Sequence, residues 1–286
     1  MLSLTSDLAK KERRKKMNNT NFQMKAFPND IYSVSSELWM RRNVPGGAIM
    51  QSWIVKGTQY VMVIDSPVPE IDGFRRFIEL KFKLPIIYVN THGHIDHIGC
   101  NGQFEQVYMA KEDWLLAAGG GIAPATEETA LKLLSYELLD IKNGMKFDLG
   151  GRIIEAYELP GHTKGSVVFY DSVSGVLFSG DAVARRVLYG MSQWVPLMEY
   201  LDSLKQIETL NIKKIYSMHD DFALPADMPQ RIIDHITKYL RNTKDRWKSP
   251  VDGKWFRRIH FLENEEDMNF FDFVIPEEKW EEYLDE

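Results

Sequence analysis

One cysteine in 286 residues, Cys100, leaves no partner for an intramolecular disulfide and excludes a cysteine-rich zinc site. Such sparing use fits a reducing compartment, so the cytoplasm is the expected location. Long apolar runs are also missing: charges, Gly or Pro interrupt each one before the roughly 20 residues that a bilayer span needs, and no membrane span is expected. A positive charge balance is absent as well. The formal net charge of -6 provides no electrostatic footprint for nucleic acid, which is not expected as a partner. The exception is local: Lys10, Lys11, Arg13, Arg14, Lys15 and Lys16 crowd together after Leu2, Leu4 and Leu8. Because the charge follows the apolar positions and no continuous apolar stretch is present, this is not the pattern of a signal peptide. Residues 1–24 are read as a solvated basic tail in preference to a membrane-surface helix.

What remains is an ordinary globular composition, 44% apolar and 27% charged, with enough chain to bury a sizeable core. The runs Ile49 to Val55 and Tyr60 to Ile64 flank a short Gly-containing connection and predict a hairpin. Ile71, Phe74, Phe77, Ile78 and Phe82 recur at helical spacing over Glu70 to Phe82. Helices are likewise predicted over Ala125 to Leu139, Leu197 to Leu210 and Asp227 to Leu240. Trp255 to Phe261 and Phe270 to Ile275 read as two strands around the acidic turn Glu263 to Asp267.

Three short apolar runs end abruptly at a chemistry-bearing residue. Ile86 to Val89 leads to His92, Val176 to Phe178 leads to Asp181, and Ile215 to Tyr216 leads to His219. Runs of this length are buried strands more often than helices, so each delivers its polar residue at a strand's carboxyl end. Two sheets packed face to face with helices outside satisfy the pattern, as does a doubly wound sheet.

The densest signal is Thr91-His92-Gly93-His94-Ile95-Asp96-His97-Ile98-Gly99, three histidines and an aspartate within six residues. Imidazole and carboxylate are the ligands that borderline-soft divalent metals take. A single histidine is most often a surface or satisfied core residue, and His235 and His260 are read that way. The cluster resists that reading, because His162 and His219 also stand at the ends of strand-like runs. A structural zinc site would close with four ligands and favour cysteine.

The motif His-x-His-x-Asp-His resembles that of the metallo-β-lactamase superfamily. Pro160-Gly161-His162-Thr163-Lys164-Gly165 resembles that family's Gly-His-Thr turn, Ser179-Gly180-Asp181 its Gly-Asp turn, and His219 its last ligand, all in the expected order. The resemblance spans roughly Ile49 to His219. It implies an α/β fold, a four-layer αββα sandwich over residues 25–245 with a C-terminal helix-plus-hairpin extension, of which residues 246–286 form the hairpin. It implies that His92, His94 and His162 hold one metal ion and Asp96, His97 and His219 a second, with Asp181 bridging and Asp96 also catalytic. Asp65, ending Val63-Ile64-Asp65, is the implied hydrogen-bonding support for a ligand histidine. Two Zn2+ ions are the expected cofactors, with Fe or Mn as alternatives.

The implied activity is hydrolysis of a small ester, thioester, lactone or related bond in a small-molecule substrate by a metal-bridging hydroxide. The alternatives are β-lactam hydrolysis, a mononuclear-iron persulfide dioxygenase, and a phosphodiesterase or nuclease. Met218 replaces the Gly that usually precedes the last ligand, and Cys100 stands where a small residue is common. Trp39, Met40, Trp114, Leu188, Tyr189 and Trp194 fall in loops that the resemblance places near the metals, and Trp39, Tyr189 and Trp194 are taken as substrate contacts. The aromatic C-terminal hairpin needs a surface to pack on. A homodimer is favoured over cover for the metal edge.

Overall fold

The computed structural model describes residues 22–37, 39, 49–190, 192–193, 195–249, 253–262 and 270–280. The first sheet contains β1 (Phe22–Phe27), β2 (Ile31–Ser36), β3 (Gln51–Lys56), β4 (Val61–Ile64), β5 (Ile86–Val89), β6 (Gln106–Met109) and β7 (Glu137–Asp140), in that spatial order. Pairing is antiparallel from β1 to β4 and parallel from β4 to β7. The second sheet is built from β8 (Lys146–Asp148), β9 (Ile153–Glu158), β10 (Val167–Asp171), β11 (Val176–Gly180) and β13 (Lys214–Ser217), in the spatial order β13-β11-β10-β9-β8. Strands β4, β10 and β11 are buried at every residue, as strands covered on both faces must be.

Between the sheets, Trp53, Val55, Met62, Ile64 and Val89 meet Ile154, Ala156, Phe169, Phe178 and Tyr216 in one apolar layer. Trp53 stacks on Tyr216 at 4.3 Å between ring centroids, and its indole N–H donates to the carbonyl of Ser217 at 2.8 Å. Outside the first sheet, helix α1 (Phe74–Phe82) buries Phe74 and Ile78 against Ile54, Val61 and Val63. A short helix, α2 (Trp114–Ala118), follows β6. Outside the second sheet lie α3 (Leu197–Glu208) and α4 (Met228–Tyr239), whose buried Leu201, Leu204, Ile232 and Ile236 pack with Val168, Leu177 and Ile215. Helix, sheet, sheet and helix make the αββα sandwich expected from the sequence.

Two expectations about local structure fail. Ala125 to Leu139 is not one helix: a 3-10 turn over Glu128–Leu133 gives way to strand β7. Backbone pairing of Glu137 to Asp140 with the edge of β6 outweighs the helical spacing of the leucines, and Leu133 is left exposed. Phe22 to Met24, expected in the basic tail over residues 1–24, instead belong to β1, where Phe22 packs with Trp39, Phe74 and Phe77, while residues 1–21 lie outside the described residues.

The C-terminal hairpin is internal to the fold. Strands β15 (Trp255–Phe261) and β16 (Phe271–Pro276) form a third sheet with β14 (Arg246–Lys248) and with β12 (Arg186–Leu188), recruited from the middle of the chain. Ile259, Phe271, Phe273 and Ile275 share one core with Val187, Ile232 and Ile236. One apolar face of the hairpin is thus covered by this chain's own helices.

Candidate metal centre

Parallel pairing explains where the polar residues gather. Strands β4 and β5 run side by side, as do β11 and β13, so in each sheet two carboxyl ends reach the same edge. There β4 delivers Asp65, β5 delivers the loop from His92 to His97, β11 delivers Asp181 and β13 delivers His219. The turn between β9 and β10 adds His162. Ligand-capable atoms converge in three overlapping groups, each within 4.8 Å: His92, His94 and His162; His92, His97 and Asp181; Asp96, His97 and His219. All seven sequence-assigned ligands are thus brought together.

Each imidazole has one nitrogen occupied and the other turned inward. His97 Nδ1 meets Asp65 Oδ2 at 2.8 Å, and the same carboxylate accepts the Thr91 N–H and O–H, both at 2.7 Å. His162 Nδ1 lies 2.7 Å from the Leu188 carbonyl, and His219 Nδ1 lies 3.0 Å from that of Ile49. His94 is reversed: Nε2 meets Ser192 Oγ at 2.7 Å, leaving Nδ1 facing His162 Nε2 at 2.8 Å. Gly180, with φ of 52°, turns the chain into Asp181; a β-carbon there would sit 2.4 Å from Thr91 Oγ1. Glycine is what lets the two sheets' loops touch at that point.

Three buried polar atoms at the centre have no hydrogen-bond partner: Nε2 of His92, Nε2 of His97 and Oδ1 of Asp181. Orphaned buried groups cost free energy unless something binds them. His97 Nε2 and Asp181 Oδ1, 3.4 Å apart, attract as an ion pair without forming a hydrogen bond. The donor set of imidazoles and carboxylates fits divalent metal.

Charges within the cluster are strongly coupled. Burial, followed by repulsion from His97, His162 and His94, holds His92 well below the usual histidine range. Burial and His162 bring His94 down to about 3, and burial also lowers His162. For His97 and His219 burial acts downward but is outweighed, by Asp181 and Asp65 at the first and by Asp181 and Asp96 at the second. His97 rises well above its ordinary value, and His219 to about 9. Burial would raise Asp181 and Asp96, yet the neighbouring His97 and His219 hold both carboxyls down, Asp181 far below its usual range. The low-lying imidazoles are free to act as neutral ligands at neutral pH, whereas His97 and His219 must release a proton to do so.

The centre is open on one side. The side chains of Asp96 and His219 are 28% and 24% exposed, whereas those of His97 and His162 are 0% and 3% exposed. Two of the residues taken as substrate contacts do not line this opening. Trp39 is fully buried among Phe22 and Phe74, and its indole N–H donates to Pro69. Tyr189 is fully buried between Tyr200 and Phe273, with its hydroxyl donating to Val195. Nearness in sequence to a ligand misled, since large aromatics beside a motif usually belong to the core. Trp194 and Met40 lie outside the described residues, and Trp114 begins α2 with its indole N–H on the Met109 carbonyl. His235 packs on Phe261 and Phe271, and His260 lies 3.8 Å from Asp272; neither joins the cluster. Cys100 is buried, and burial pushes its thiol up to about 11, so it packs as a small apolar residue.

Sequence reasoning missed the supports other than Asp65. Asp220, next to His219, is clamped by the Arg185 guanidinium at 2.7 Å and by Ser217 Oγ, also at 2.7 Å. Tyr88, Ser66, Asn90 and Asn101 form a buried polar network under the histidine loop, from which Asn90 Nδ2 donates to the His97 carbonyl at 2.8 Å. Asp113, N-terminal to α2, binds two ligand-bearing loops at once. No local motif marks any of these residues, and backbone acceptors such as Leu188 leave no side-chain signature at all.

The family whose sequence model matches the chain is the metallo-beta-lactamase superfamily, over residues 49–219. A hydroxyacylglutathione hydrolase of Synechococcus sp. (strain JA-2-3B'a(2-13)) is 28% identical over 152 residues, 52% of this chain and 55% of that protein. The acyl-coenzyme A thioesterase MBLAC2 of Homo sapiens is 27% identical over 186 residues, 55% of this chain and 66% of that protein. The chain thus spans between about half and two thirds of these curated relatives. Among solved structures, a metallo-beta-lactamase from Pontibacter korlensis superposes with a TM-score of 0.59 at 16% identity, covering 76% of this chain and 99% of that one. A metallo-beta-lactamase family protein of Thermus thermophilus gives 0.55 at 21% identity, covering 77% and 85%. At these identities the structural likeness speaks for the fold alone.

Proposed function

Since the chain belongs to the metallo-beta-lactamase superfamily, we propose that it is a dinuclear metal hydrolase that cleaves an acyl thioester into a carboxylic acid and a thiol. The observation that carries the reading is the convergence of three buried atoms without a hydrogen-bond partner, on His92, His97 and Asp181, at the meeting point of two flanking ligand groups. His92, His94 and His162 would hold one ion, Asp96, His97 and His219 the other, and Asp181 would stand between them. Zinc suits such a set of imidazoles and carboxylates. A pair of divalent ions would lower the pKa of water and polarise the substrate carbonyl.

The chain's own residues supply position, polarity and access. Asp65 and the carbonyls of Leu188 and Ile49 orient His97, His162 and His219 through their Nδ1 atoms, leaving Nε2 inward. The exposed Asp96 and His219 side admits the substrate's acyl carbon, while the buried His92 and His162 side excludes water from behind. Asp96, held ionised by His97 and His219, is the acceptor placed to orient the attacking water's proton at the open rim. The choice of thioester is supported by the names of two curated relatives, a hydroxyacylglutathione hydrolase and an acyl-coenzyme A thioesterase. The single buried cysteine supports a cytoplasmic site of action, and no helix among the described residues is long and apolar enough to cross a membrane.

The test is a parallel assay of zinc-loaded protein on acyl-coenzyme A and acyl-glutathione thioesters, lactones, a phosphodiester and a β-lactam, together with elemental analysis. Two zinc ions per chain and preferential thioester turnover are expected. Turnover confined to the phosphodiester or β-lactam, or one iron per chain with persulfide oxidation, would overturn the reading.

A further inference from the structure

Asp113 is fully buried and makes no ion pair with a Lys or Arg among the described residues. Its carboxylate is engaged by donors only. Oδ2 accepts the Gly93 N–H at 2.8 Å and the Thr163 hydroxyl at 2.7 Å, and Oδ1 accepts the Gly165 N–H at 2.9 Å. The Thr163 hydroxyl proton is directed there by its neighbour, since Ser166 Oγ lies 2.9 Å away and accepts the Thr163 N–H at 3.0 Å. Burial raises the Asp113 carboxyl above its ordinary value, against the opposing pull of these three donors. A carboxylate bound by three donors has no acceptor to receive a proton of its own, and the donors favour its ionised form.

The three donors come from two loops. Gly93 lies between His92 and His94, while Thr163 follows His162 directly and Gly165 stands two residues further on. One side chain therefore ties together the backbones that carry His92, His94 and His162. The fit is reciprocal: a β-carbon on Gly93 would lie 2.9 Å from the Asp113 carbonyl oxygen, and one on Gly165 would lie 2.7 Å from Asp113 Cγ. Both glycines make room for this residue. The turn that follows α2 grips the same loop, where the Ile95 N–H donates to the Gly121 carbonyl at 2.9 Å. Asp113 thus belongs to a segment, from Lys111 to Gly121, that seats the histidine loop from behind.

From this geometry we infer that Asp113 is a positioning residue for the His92, His94 and His162 metal site, and that its buried negative charge also favours the cation bound there. The inference rests on the metal-site reading above. With Asp220 matched by the Arg185 guanidinium, Asp65, Asp96, Asp113 and Asp181 are four carboxylates around the centre, which formally balances two divalent ions.

Asp113→Asn keeps the volume but removes the charge, and its amide NH2 must face one of the present donors. Zinc binding, measured by competition with a chromophoric chelator, is expected to weaken by about 10–100-fold at one of the two sites only. Stoichiometry at limiting zinc falls from two to one, and turnover returns at saturating zinc. Thr163→Val removes one hydroxyl donor and leaves the charge in place. Its expected loss is smaller, a few-fold, at the same site. The chelator-treated variants are compared with the chelator-treated parent by circular dichroism and thermal unfolding. Weakened binding at one site in a chain that still folds without metal supports the role. Parental zinc affinity in Asp113→Asn overturns it, as does a lowered unfolding temperature with unchanged affinity. Should Asp113→Asn fail to fold, parental affinity in Thr163→Val overturns it instead. A parent protein that binds fewer than two zinc ions removes the metal-site reading itself.

Discussion

Replacing Asp65 by Asn probes how a residue that would touch neither metal nor substrate sets metal affinity. The backbone accommodates the change, because Asp65 sits at a φ of 60° and Asn is among the few residues that adopt this left-handed conformation readily. The carboxylate's Oδ1 accepts the Thr91 N–H at 2.7 Å, a bond that the Asn oxygen preserves. At Oδ2 the new NH2 group meets the Thr91 hydroxyl and His97 Nδ1, which lie 2.7 and 2.8 Å away. It can donate to Nδ1 only if that nitrogen carries no proton, which moves the imidazole proton to Nε2, the atom that faces Asp181 and the candidate metal. Correct and incorrect tautomers then compete, and the attraction of Asp65 for the cation's field is lost. A weakening of zinc affinity by roughly 10–100-fold is expected, equivalent to about 1.4–2.8 kcal/mol. Competition against a chelator of known affinity, at fixed pH and ionic strength, reads it directly. Zinc affinity equal to the parent's would refute the reasoning and reduce Asp65 to a strand-end residue that merely ties down Thr91.

Other expectations can be checked in the same preparations. His94→Ala and Asp96→Ala should each lower thioester turnover by orders of magnitude in a folded chain, whereas His235→Ala, remote from the ligand groups, should leave kcat near the parent's. The chelator-treated protein should be most stable near pH 6.5, the ordinary histidine value in an unfolded chain. Protonated His219 contributes stability that is complete below that value and is lost as pH rises through about 9, while the depressed His94 contributes stability present above it and lost as pH falls toward about 3. Denaturant melts from pH 4 to pH 9 that show a monotonic trend would contradict this. Phe273→Ala, at a fully buried position of β16 beside Val187 and Tyr189, should destabilise the protein by about 3–5 kcal/mol in urea unfolding.

The ligand set was legible because its chemistry is concentrated in side chains at strand ends, where an apolar run breaks at a histidine or aspartate. The parallel pairing of β4 with β5 and of β11 with β13 could not be seen, but it is what turns five separated segments into one centre. Supports other than Asp65 were illegible for two reasons. Leu188 and Ile49 act through carbonyl oxygens that any residue would provide, and nothing in the sequence distinguishes Asp113 from any other aspartate preceding an apolar run. Aromatic residues misled at Trp39 and Tyr189, which are core rather than pocket, and Phe271 and Phe273 of the C-terminal hairpin pack against this chain's own helices. In both cases the same apolar surface suits a core and an exposed site, and only the topology decides. The leucines before β7 were misassigned because an open sheet edge can claim a segment whose spacing is helical.

Strand β12 pairs with β16 in parallel, and the Tyr189 N–H donates to the Val274 carbonyl, so the carbonyl of Leu188 that orients His162 is held by residues from near the end of the described chain. During synthesis the amino-terminal segments emerge and fold first. All seven candidate ligands will then have left the ribosome before Phe271 to Pro276 exists to seat β12. The nascent chain can carry every candidate ligand and still hold His162 loosely. A metal site at His92, His94 and His162 would therefore reach its final geometry late in the birth of the protein, timed by a strand that contains none of these residues.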